Sequence, residues 1–221
     1  MTPARRRDAA LSVAGSLLVL TALAIIWGAR LTVPRELYVS ELGATGEPTA
    51  EVFRAALLLL VAGGVLVAWA VRDLRARTPI LRYGTPALSL AMACACFFVA
   101  AHVPCTQGCP LPVGETFTMQ DFTHTLAAVV AFAAACWAML QVAFAPGHRA
   151  ISRLSLTMAL AVGVIAGVGG LLSLLRWNAE FGSRLELVAT TVGIGWLVVV
   201  GVVRAVRLLR DARTASVITA Q

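Results

Sequence analysis

Asp121 and His124 stand three residues apart at the start of an apolar run, so a helix beginning there turns both side chains to one face. An imidazole titrates near neutrality, and a neighbouring carboxylate can orient or charge it. The pair therefore has the make-up of an acid–base site, with His124 moving the proton and Asp121 holding the ring. His102, near the end of the preceding apolar run, can face the pair across a hairpin. His102, Asp121 and His124 are then the set from which a divalent metal could draw imidazole and carboxylate donors. The chain has three histidines; His148 falls at the far end of the fourth run, which excludes a three-histidine centre.

Three further groups bear on chemistry at the same end. Cys105 and Cys109, in Cys105-Thr106-Gln107-Gly108-Cys109-Pro110, can close a disulfide around a tight turn, remain free thiols, or offer two thiolates to a metal. Ser40 and Glu41 lie in a segment, 38–44, that mixes apolar side chains with a hydroxyl, an acid and a glycine, as a stretch folding back onto a bundle would. Glu41 joins His124 and Asp121 as a catalytic candidate. Ser40 would need a positioned base that no spacing supplies. Arg184 and Glu186 form a polar knot in which Arg184 can grip an anionic headgroup bidentately, or simply pair with Glu180 or Glu186. Ser40, His102, Arg184 and Glu186 are thus the substrate-binding candidates.

The same residues also have an architectural explanation. An acid in the first turn suits the positive end of a helix dipole, which accounts for Glu51, Asp121 and Glu186 without chemistry. Thr118 before Asp121 and Ser183 before Glu186 have capping spacing, and His102 sits where a helix C-terminus welcomes a cation.

The elements that must position these groups are six apolar runs, about 9–28, 52–71, 86–103, 122–144, 154–175 and 185–206, in a chain of 221 residues that is 59% apolar and 13% charged. A soluble domain carries nearer about 25% charge, and a span needs about 20 apolar residues. The expected fold is all-α, a single six-helix transmembrane bundle over 1–221. The first run exceeds the apolar part of a signal peptide and reads as a retained anchor. On one side the connectors hold thirteen arginines against three aspartates, and on the other five arginines against eight acids. The positive-inside bias then predicts a plasma-membrane protein with both termini cytoplasmic and the histidines, cysteines and acids outside. Those arginines flank spans and form no aromatic-interleaved patch, which argues against nucleic acid despite a net charge of +7. No run is broken at its middle by proline and none carries a midplane acid, which disfavours a transporter. Small residues at four-residue spacing, Ala127, Ala131 and Ala135 and again Gly163 and Gly167, predict close helix packing, within the bundle or against a second copy.

Ser40-Glu41-Leu42-Gly43-Ala44 after the first span, His102 with the 105–110 turn, and Asp121-x-x-His124 opening the fourth span together resemble the bacterial and archaeal membrane family called domain of unknown function 998, over roughly 11–209. The resemblance implies six spans and an outer polar cluster, and it implies no activity. The expectation that follows is a lipid-facing protein that binds or processes a lipid or lipid-linked substrate by acid–base hydrolase or transferase chemistry, with a divalent metal as an optional cofactor. The rival is a noncatalytic accessory or binding subunit that docks a membrane-protein partner or a second copy of itself.

Overall fold

Inside a bilayer no water satisfies the backbone, so each long apolar run must close its own hydrogen bonds as a helix. The computed structural model describes residues 3–110, 114–147, 149–175 and 177–218. It contains six α-helices: α1 Pro3–Thr32, α2 Ala50–Ala70, α3 Pro86–His102, α4 Met119–Ala143, α5 Arg149–Leu174 and α6 Ala179–Ile218. The described residues hold no strand. Five of the helices are long and apolar enough to cross a membrane, and α3 is a shorter apolar helix of 17 residues. At the helical rise α3 reaches about 26 Å, the short limit for a span. Its length is set at both ends: Thr85 caps it by accepting from Leu88 N, Pro86 occupies the first turn, and Pro104 comes two residues after its last, His102. The chain is an all-helical, multi-pass membrane protein.

Most helices run past the apolar stretches that announce them. Helix α6 starts about six residues before its expected edge because Asn178, not Ser183, supplies the starting side chain, its Oδ1 accepting from Phe181 N at 3.2 Å. Ser183 is inside the helix and donates to Glu180 O. Thr118, by contrast, caps α4 as its spacing predicts, accepting from Asp121 N at 3.0 Å.

Each helix packs on its sequence neighbours, and α6 returns to α1, so the six form a closed ring; α2 also meets α6. Lipid tails supply no hydrophobic drive between helices, so contact depends on close approach and polar ties. Gly15 and Gly63 provide the approach between α1 and α2: a Cβ on Gly63 would stand 2.6 Å from Gly15 O. Ser12 Oγ donates to Gly201 O at 2.8 Å and Trp196 Nε1 to Ser155 Oγ at 2.9 Å, tying α6 to α1 and α5. Ala127 and Ala131 are buried as the small-residue pattern predicts. Gly163 and Gly167 are not in a bundle contact, since a Cβ on either would meet nothing within 4 Å.

Charges separate to the two ends. At one, Arg72 pairs with Asp8 and Arg204 with Asp73. At the other lie the connectors between α1 and α2, α3 and α4, and α5 and α6, and these carry the site. His148 lies outside the described residues.

Candidate functional site

The ring encloses a cavity with about 970 Å³ of atom-free space, its open part included. All six helices contribute, among them Ile26, Leu57, Phe97, Phe132, Val162 and Ile194. Polar side chains are few: Ser40 from the first connector, His124 near the start of α4, and Glu186 and Thr190 on α6. The chamber is therefore greasy along its body and polar at the connector end.

The first connector closes that end because its sequence is half apolar. Leu37, Val39, Leu42 and Ala44 are buried, and folding them inward brings polar backbone with them that must be satisfied. Two carboxylates do this. Glu41 Oε2 accepts from Tyr38 N at 2.8 Å, closing the 3-10 turn Ser40–Gly43, and Glu186 Oε2 reaches across from α6 to accept from Val39 N at 2.8 Å. The Ser40 amide and hydroxyl face the same Glu186 carboxylate. Gly43 is required by space: a Cβ there would lie 2.6 Å from the Phe53 ring. Burial pushes the Glu41 carboxyl above its ordinary value, against the opposing pull of the Tyr38 N–H and Arg35.

His124 is buried, and its Nδ1 lies 2.8 Å from Val103 O. A carbonyl only accepts, so Nδ1 carries the proton and Nε2 keeps its lone pair in the neutral ring. That leaves Nε2 able to take a proton or to ligate a cation at the polar end of the chamber.

The expected partnership of His124 with Asp121 takes a different form. Asp121 is fully buried, and its carboxylate accepts from Thr106 N at 2.7 Å, Thr106 Oγ1 at 2.9 Å and Thr118 Oγ1. With its acceptor directions spent on the second connector, it touches His124 through charge only, and the Val103 carbonyl orients the ring instead. His102 does not join them. It is exposed, its Nδ1 lies 2.8 Å from Phe98 O of its own helix, and its ring rests on Phe98. The expected metal set of His102, Asp121 and His124 is therefore not assembled.

Arg184 is also away from the chamber, exposed and paired with Glu180 and Glu36. Glu36 is held below the usual carboxylate range, chiefly by its hydrogen bond to Arg30. Cys105 and Cys109 form a disulfide with Cα atoms 5.1 Å apart. Of the residues singled out by sequence, Ser40, His124 and Glu186 meet at the chamber; Glu41 and Asp121 shape the connectors around it. Thr190, one turn into the chamber from Glu186, carries no sequence signal because a threonine in an apolar run is ordinary bundle polarity.

A family model described as protein of unknown function (DUF998) matches residues 11–203. Comparison with curated proteins and with solved structures returns no match.

Proposed function

This chain belongs to the DUF998 family, whose function is unknown, and we propose that its ring of helices holds a lipid or lipid-linked amphiphile, chain in the apolar body and polar group at Ser40, His124 and Glu186. The observation that carries this reading is the one-ended polarity of the cavity wall. A polar solute would leave the apolar body unmatched, and a plain hydrocarbon would bring no polar group to the end where Ser40, His124 and Glu186 stand. The protein sits in the plasma membrane with both termini cytoplasmic, so the polar mouth opens on the outer side; the arginine asymmetry supports that orientation.

The sharper form of the reading is acid–base hydrolase or transferase chemistry on that polar group. His124 Nε2 takes the proton of an attacking water or acceptor alcohol, Val103 O holds the imidazole, and the same ring returns that proton to the leaving group as its bond to the substrate breaks. Arg184, already paired with two acids, is assigned no part in gripping the substrate. Loading purified protein with a single-chain phospholipid and weighing the intact complex by native mass spectrometry tests the binding reading. Wild type should retain about one amphiphile per chain, and Leu57→Trp, which fills the chamber, should retain at least about tenfold less. Equal retention by the two would overturn it. His124→Gln should keep the amphiphile while losing any turnover.

The noncatalytic rival has one observation of its own. Gly163 and Gly167 leave a smooth strip on α5 with nothing packed on it, the geometry by which small-xxx-small helices associate. A second copy or a partner span seated there would make this chain a subunit whose chamber only carries lipid.

A further inference from the structure

The disulfide and His124 are neighbours as well as landmarks. The sulfurs of Cys105 and Cys109 and a ring nitrogen of His124 all lie within 4.8 Å of one another. We propose that reducing the Cys105–Cys109 bond converts this group into a binding site for a thiophilic divalent cation such as Zn²⁺, with two thiolates and His124 Nε2 as the protein ligands. This goes beyond the amphiphile reading and shares with it only His124 Nε2.

Three observations carry it. The donor set is the right one: zinc is held by thiolate at about 2.3 Å and imidazole at about 2.0 Å, so ligand atoms stand roughly 3.4–3.8 Å apart, within small side-chain movements of the present spacing. His124 is also prepared as a ligand. Its Nδ1–H is committed to Val103 O at 2.8 Å, and metal-binding histidines almost always donate their second nitrogen to such an outer acceptor, which fixes the ring and leaves the other nitrogen for the metal.

The third observation is that the connector does not depend on the S–S bond for its shape. Thr106 N and Oγ1 are held by Asp121, Thr45 N donates to Cys105 O at 2.9 Å, Gln120 Nε2 donates to Pro104 O at 2.7 Å, and Cys109 N closes the turn on Thr106 O at 2.9 Å. Breaking the disulfide therefore leaves both thiols beside the imidazole. Cys105 is buried and Cys109 half-buried, so a reductant attacks first at Cys109.

The chemistry balances in two steps. Two thiols, or a phosphine and one water, supply the two electrons and the two protons that the sulfurs take up, and become a disulfide or a phosphine oxide. Cation binding then releases both thiol protons to solvent. Three protein ligands leave one position of a tetrahedral centre open, the arrangement of a catalytic rather than a structural zinc. His124 belongs to the chamber wall, so a cation held by it stands beside the chamber's polar end.

The full chain in detergent, oxidised or reduced by a phosphine, is incubated anaerobically with Zn²⁺, desalted and assayed for bound metal, with Co²⁺ as a spectroscopic probe. The reduced protein should retain about one zinc per chain and show thiolate-to-cobalt charge transfer, and the oxidised protein should do neither. His124→Gln should weaken reduced-state binding by about tenfold or more, and His102→Gln should leave it unchanged. Equal zinc in the two redox states, binding indifferent to His124, or loss of the helical fold on reduction would each overturn the proposal. Amphiphile retention is measured on the oxidised protein without metal, so failure of the zinc site and failure of the lipid reading are separate results.

Discussion

The two ends of the ring use their charges differently. At the arginine-rich end, charge meets charge or a helix-terminal carbonyl: Arg72 bridges Asp8 and Trp69 O, and Arg204 bridges Asp73 and Ala70 O. At the opposite end, three acids accept from connector backbone: Asp121 from Thr106 N, Glu41 from Tyr38 N and Glu186 from Val39 N. The Arg204–Asp73 pair, with the Asp73 side chain mostly exposed, belongs with surface pairs that contribute about 0–1 kcal/mol, whereas hydrogen bonds to a charged group contribute about 1.5–3 kcal/mol, and an orphaned buried amide costs about as much again. The acidic end accordingly sets the shape of the connectors and of the chamber mouth they roof.

Asp121→Ala should have the largest effect, because one substitution strips a fully buried acceptor from two threonines and a backbone N–H. A loss of about 3 kcal/mol or more is expected in chemical unfolding in micelles. A loss under about 1 kcal/mol would mean that the second connector is held by something else.

A middle-sized effect belongs to Glu41. Its folded pKa is raised by burial above the ordinary value of 4.5, so the native state favours the neutral form. Its contribution to stability is then complete below about pH 4.5 and is lost as pH rises through the raised folded value. Glu36, whose carboxyl is pulled down by Arg30, titrates below that window and does not mask the effect. Glu41→Gln keeps an acceptor for Tyr38 N and should reduce the fall in thermal stability as pH rises above about 4.5. An unchanged slope would show that another group produces it.

Asp73→Ala should do least. The Asp73 side chain is mostly exposed, and Arg204 keeps its Ala70 carbonyl, so a change below about 1 kcal/mol is expected in the same unfolding assay. A cost equal to that of Asp121→Ala would erase the contrast between the two ends.

The spans were legible because about 20 apolar residues in a row have few fates other than a membrane helix. Their edges were not, since helices continue into the polar layer for as long as a side chain caps them; Asn178 starts α6 ahead of the Ser183–Glu186 spacing that suggested a start. Ser40, His124 and Glu186 stood out as polar groups beside apolar runs. Which residues face the chamber did not stand out. Lipid-facing and ring-facing sides are equally apolar, so Phe132 on the wall and Leu171 on the outside look alike in sequence. The grouping of His102 with Asp121 and His124 went astray for a related reason. Helical spacing puts residues on a face, but the connector threading between α3 and α4, with Thr106 on Asp121 and Val103 on His124, decides what each one touches.

The most direct test of the chamber is photolabelling in native-like vesicles with a phospholipid that carries a diazirine near the end of its acyl chain, followed by peptide mapping. The account predicts label on ring-facing residues such as Leu57, Phe132, Met139 and Ile194, lost in Leu57→Trp. Label confined to outward residues such as Leu88, Val164 and Leu171, unchanged by that substitution, would contradict it.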